Sequence, residues 1–102
     1  MDAIVVRYET KPGQADENER LVQAVFAELR QTNPGSVRYA AFRLADGVSF
    51  VHVAVVDAAD GHNPIPELPS FLAFQDAIGS RLVSPPVSQD ATLVGSYRFF
   101  PD

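Results

Sequence analysis

The sequence predicts an α+β domain of βαββαβ order, in which one four-stranded antiparallel sheet carries both helices on a single face. Three observations lead there. Val- and Ile-rich runs open the chain and recur in its middle, and two stretches place apolar residues at spacings of three and four. The pair Asp46-Gly47 joins two of the β-rich runs as a tight hairpin turn.

Strand one is expected over Ala3 to Thr10, which holds Ile4, Val5, Val6 and Tyr8 and closes on Lys11-Pro12-Gly13. A helix follows from Asp16 to Gln31. Its apolar stripe is Leu21, Val22, Val25, Phe26 and Leu29; Asp16, Glu17 and Glu19 suit its N-terminal dipole and Arg30 its C-terminal one, and Asn33-Pro34-Gly35 stops it. Val37 to Leu44 and Val48 to Val56 form the hairpin. With Asp46 and Gly47 at the turn, Ala45 faces Val48, Arg43 faces Phe50, Ala41 faces His52 and Tyr39 faces Ala54. Alternation puts Tyr39, Ala41, Arg43, Phe50, His52, Ala54 and Val56 on one face, and Ala40, Phe42, Leu44, Val51, Val53 and Val55 on the other.

The stretch from Ala58 to Pro66 is polar, with Asp60-Gly61 and two prolines, and reads as a loop. Helical spacing resumes over Leu68 to Leu82 through Phe71, Phe74, Ile78 and Leu82, with Pro69 suited to a first turn. Pro85-Pro86 bars a regular helix beyond it, and Ala91 to Phe100 reads as strand four. The resulting order is the ferredoxin-like one. Large apolar residues on both faces of the hairpin leave a helix-free face that needs cover, and a second copy of the chain is the simplest one.

At 102 residues, 46% of them hydrophobic, the chain is sized for a single domain, 1–102, with a packed core. A net charge of −5, with its basic residues scattered, argues against nucleic acid as a partner. The absence of cysteine excludes thiol chemistry and disulfides. No apolar run approaches the roughly 18 residues of a membrane span and the N-terminus lacks a signal-like pattern, so no membrane partner and a cytoplasmic location are expected.

The opening "VVRYETKPG", the hairpin "VRYAAFRLADGVSFVHVAVVD", the helix "LPSFLAFQDAI" and the end "ATLVGSYRFF" resemble the dimeric α/β-barrel superfamily. Within it, the likeness is to the antibiotic-biosynthesis-monooxygenase-like proteins. The resemblance implies a homodimer paired sheet against sheet, and a pocket for a small apolar or aromatic molecule between sheet and helices. Haem-degrading members use an asparagine, a tryptophan and a helix-borne histidine. Here there is no tryptophan, Asn18, Asn33 and Asn63 lie in the first helix or in loops, and His52 and His62 lie on strand three and in a loop.

Among residues that could carry chemistry, His52 stands out, a mid-strand imidazole between Phe50, Val51, Val53 and Ala54 and a candidate catalytic acid or base. A histidine satisfied by one hydrogen bond at the sheet face is the other reading. Tyr39, Arg43 and Phe50 share its face, so a phenol and a guanidinium could meet a bound oxyanion; Phe71 and Phe74 would roof a cavity or simply pack helix to sheet. His52 and His62, ten residues apart, make no metal-ligand spacing, and no phosphate loop, dinucleotide fingerprint or nucleophile elbow occurs. The sequence thus points to no metal and no cofactor. Two functions stay open: a cofactor-independent monooxygenase or isomerase acting on an aromatic or polyketide-like metabolite, and a non-catalytic ligand-binding or accessory dimer.

Overall fold

The computed structural model describes residues 2–99. Strand β1 spans Asp2–Glu9, helix α1 Ala15–Thr32, β2 Val37–Arg43 and β3 Ser49–Val56. A 3₁₀ turn at Ile65–Glu67 leads into α2, Pro69–Gln75, then α3, Ile78–Arg81, and β4, Val87–Ala91. The strands form one antiparallel sheet in the order β2-β3-β1-β4, which is the ferredoxin-like α+β arrangement.

The hairpin register follows from its turn. Arg43 pairs with Phe50, Ala41 with His52 and Tyr39 with Ala54. Toward the turn, the last backbone bond runs from the Leu44 N–H to the Ser49 carbonyl; beyond it the Asp46 carboxylate accepts from the Val48 and Ser49 N–H groups and the Val48 carbonyl accepts from Thr10, so Ala45 and Val48 do not extend the ladder. Gly47, at φ +79°, supplies the left-handed turn position. Helix α1 ends on Asn33, whose left-handed φ of 48° lets its N–H reach back to the Leu29 carbonyl.

Two elements differ from expectation. The second helical stretch is broken at Ala77, where φ is +57°, into a helix of under two turns and a single further turn. The orphan C-terminal carbonyls of α2 at Phe74 and Asp76 are taken up by the Arg81 guanidinium, at 2.6 and 3.2 Å, which closes the broken segment on itself. Strand four is Val87–Ala91, not Ala91 to Phe100, and Phe100 itself lies outside the described residues. The reason is register. Ala91 pairs with Ala3, next to the start of β1, so the more apolar segment that follows has run out of strand to pair with.

The core lies between the sheet and the helices: Tyr8 and Phe50 from the sheet, Val22 and Val25 from α1, Leu68, Phe74 and Leu82 from the second helical region. The opposite face has no helix over it. Phe42 and Leu44 are about half exposed there and Val53 is partly so, while Val55 is buried and borders a hollow of about 420 Å³ shared with Leu93, Tyr97 and Phe99 of the C-terminal segment. Among the described residues no helix is long and apolar enough to cross a membrane.

Candidate functional site

On the helix side of the sheet, a cavity of about 270 Å³ opens between the strands and α2. It sits near the lower end of ligand-site volumes, roughly 300–1,000 Å³. Ile4 and Val6 of β1, Tyr39 of β2 and His52 of β3 point into it because alternation puts them on the inner face, and Ile65, Phe71 and Phe74 close it from above. Its walls are chiefly aliphatic and aromatic; Asn63, Gln75 and Ser88 add single polar side chains, and Tyr8, Tyr39 and His52 form a bonded cluster.

His52, 5% exposed, holds a tyrosine on each ring nitrogen: the Tyr8 hydroxyl lies 2.8 Å from Nε2 and the Tyr39 hydroxyl 2.6 Å from Nδ1. Behind Tyr8, Asn18 of α1, fully buried, donates from Nδ2 to the phenol oxygen at 2.8 Å. Arg81 Nε donates to Asn18 Oδ1 at 3.4 Å, and the rest of its guanidinium is held by the two α2 carbonyls and lies over the Phe74 ring, 5.5 Å from its centre. The chain of contacts therefore runs Arg81, Asn18, Tyr8, His52, Tyr39. It draws on β1, α1, β2, β3 and α3, and among the described residues no buried side-chain nitrogen or oxygen lacks a partner.

Burial sets the protonation states. It pushes His52 down to about 4, so the imidazole is neutral at pH 7. It pushes Tyr8 up to about 12, against the opposing pull of the Asn18 hydrogen bond and the Arg81 charge. Tyr39 is raised further, by burial first and by the neighbouring Tyr8 phenol second. Both phenols therefore stay protonated, and Arg81 carries the network's only formal charge.

A pH dependence of stability follows. The unfolded chain protonates His52 near 6.5 and the folded one only near 4, so between those values the unfolded state binds more protons. The His52 contribution is complete above pH 6.5 and is lost as pH falls through 4, a total of about 3 kcal/mol. Urea unfolding at pH 7, 5.5 and 4 should show this decline, and His52→Gln should flatten it. An unchanged midpoint across that range would place the imidazole in contact with water.

Tyr39, His52, Phe71 and Phe74 are brought together at the cavity. Arg43 and Phe50 are not among its lining residues. Phe50 is 2% exposed and lies under α1, its ring stacked on Tyr8 at 5.4 Å, one inner-face position further along β3 than His52. Arg43, opposite Phe50, turns to α1, pairs with Asp16 at 3.0 Å and Glu19 at 3.3 Å, and donates to the Gly47 carbonyl. His62 also stands apart, paired with Glu67 at 2.6 Å.

As a strand tyrosine, Tyr8 reads from the sequence as a core residue whose hydroxyl could reach a cavity, but its bond to His52 is not legible there, nor is any site role for Asn18 or Arg81. A signal for the last two exists. Asn18 is four residues before Val22 and seven before Val25, and Arg81 is three after Ile78 and seven after Phe74, so each polar residue sits in an apolar stripe.

No family model matches the chain, and no curated protein does. Solved structures share its fold. A protein described as an antibiotic biosynthesis monooxygenase superposes with a TM-score of 0.75 at 15% identity, covering 93% of this chain and 100% of that one. Rv0793 from Mycobacterium tuberculosis superposes at 0.74 with 18% identity, over 93% of this chain and 96% of the other. A variant of SnoaB, a cofactor-independent oxygenase from Streptomyces nogalater, superposes at 0.68 with 22% identity, over 95% and 96%. The fold expected from the sequence resemblance is therefore present.

Proposed function

We propose, from the premise that this chain carries the fold of the antibiotic-biosynthesis-monooxygenase-like proteins, that it is a cytoplasmic homodimer acting on a small aromatic or polyketide-like metabolite as a cofactor-independent monooxygenase or isomerase. One observation carries the reading: a largely apolar cavity in whose wall Tyr8, His52 and Tyr39 form a hydrogen-bonded cluster. In an oxygenase of this type the substrate supplies the electrons. A proton leaves the activated C–H of an electron-rich phenol or its keto form, and the resulting carbanion reduces oxygen. For an anthrone, the ring CH₂ becomes C=O, one oxygen atom enters the product and the other leaves as water.

The chain's part is to orient the substrate and exclude water while its anion forms. Neither nitrogen of His52 is free to touch a ligand, so its influence reaches the cavity through Tyr39. The same fact favours the second reading, a non-catalytic binder, because an imidazole pushed down to about 4 is a weak base.

Incubation with anthrone in air and under argon separates the two. Anthraquinone formed in air faster than in a protein-free control, and not under argon, supports the oxygenase, and a rate in air equal to that control rules it out. Native mass spectrometry of freshly purified protein addresses the binder, since a co-purified metabolite that is never turned over would establish that role. The dimer is assigned to the helix-free sheet face, where half-exposed Phe42 and Leu44 adjoin Val51 and Val53.

A further inference from the structure

We propose that the buried hydrogen-bond chain from Arg81 to Tyr39 has a fixed direction, so that Tyr39 presents a hydroxyl proton to the cavity and selects ligands bearing an acceptor oxygen, a ketone or a phenolate, at that point. This rests on the cavity being the ligand site. The direction follows from donor counting, starting at the one residue that cannot accept.

A guanidinium has only N–H donors. The Asn18 atom facing Arg81 at 3.4 Å must therefore be its oxygen, since the flipped amide would set two donors against each other. Asn18 then turns its NH₂ to Tyr8, whose oxygen accepts. With that bond received, the Tyr8 proton has His52 Nε2 as its only acceptor among the described residues. Nε2 accepting makes Nδ1 the protonated nitrogen of the neutral ring, and Nδ1 donates to the Tyr39 oxygen at 2.6 Å. Tyr39 has no second partner among the described residues, and it lines the cavity. Its proton is what a ligand meets. Every link is buried or partly buried, so water does not scramble the order.

Arg81 and Asn18 are thereby positioning residues for a donor that neither touches. Asn18→Asp makes this testable, because Asp has nearly the same shape, keeps Arg81 as its partner and can only accept. Tyr8 would then donate to residue 18 and accept from His52 Nε2–H. Tyr39 would donate its hydroxyl hydrogen bond to Nδ1, and the cavity would face the Tyr39 lone pair.

Three flat tricyclic probes of matched shape read the result by titration calorimetry at pH 8: fluorenone (acceptor), carbazole (donor) and fluorene (neither). Wild-type protein should bind fluorenone about tenfold more tightly than carbazole or fluorene. Tyr39→Phe should weaken fluorenone binding more than fluorene binding, and Asn18→Asp should turn the preference to carbazole. In parallel, ¹⁵N spectra of His52 should show Nδ1 protonated in the wild type and Nε2 in Asn18→Asp. A wild-type Nε2–H tautomer, or equal affinity for all three probes, overturns the proposal. If no probe binds while Nδ1 carries the proton, the direction stands and the cavity loses its place as the ligand site. Should Asn18→Asp fail to fold, the wild-type tautomer and Tyr39→Phe decide.

Discussion

Arg81→Leu is expected to destabilise the fold by about 3 kcal/mol or more, because it strips the donors from three acceptors, the Phe74 and Asp76 carbonyls and Asn18 Oδ1, at roughly 1–3 kcal/mol for each left unsatisfied. A protein of this size has only about 5–15 kcal/mol in all. Leucine fills part of the volume, so the loss reports hydrogen bonding and charge more than an empty space. Arg81→Lys keeps a cation but not the planar fork, and should recover only part of the difference. Urea unfolding with the slope checked for constancy measures all three proteins. A Leu variant within 1 kcal/mol of wild type would mean that α2 closes without the guanidinium.

Val53→Asp should convert the proposed dimer to monomer. Val53 pairs with Val5 on one side and Ala40 on the other, in the middle of the helix-free face. It is only partly buried within one chain, so a carboxylate is tolerated there while the face meets water. Pressed against a partner sheet, the same carboxylate is desolvated among apolar side chains; Arg7 and Arg38 lie diagonally from it on that face and offset part of the cost, which remains on the order of a few kcal/mol at each of two symmetry-related positions. Equilibrium sedimentation of both proteins is the test. A monomeric wild type, or a variant that remains dimeric, would move the interface to another surface.

How far the sequence could be read depended on where the information was local. The β2–β3 register was legible because an Asp-Gly turn and strict alternation act over a few residues, and those faces are the ones observed. Helix α1 was legible for the same reason. The fourth strand was not. Val87-Ser88-Gln89-Asp90-Ala91 is an exposed edge strand with little hydrophobic signal, and it is this segment, not the more apolar stretch after it, that lies alongside Ala3 to Arg7 of β1.

The site divides similarly. His52, Tyr39, Phe71 and Phe74 could be named from face and period, whereas Arg43 and Phe50 share the His52 face but lie nearer the hairpin turn, beside α1. Asn18 and Arg81 meet across 63 positions of sequence, a separation that no local pattern spans.

The chain holds three tyrosines and no tryptophan, and Tyr8 and Tyr39 both belong to the His52 network. Tyr97, 82% exposed, lies on the C-terminal segment. The longest-wavelength part of the near-ultraviolet absorbance, beyond the band of the seven phenylalanines, therefore comes from phenols, two of the three bonded to the same imidazole. A ligand entering the cavity would therefore perturb two of the three phenols at once, while Tyr97, beside Val53 and Val55 on the other face of the sheet, would report on that face instead.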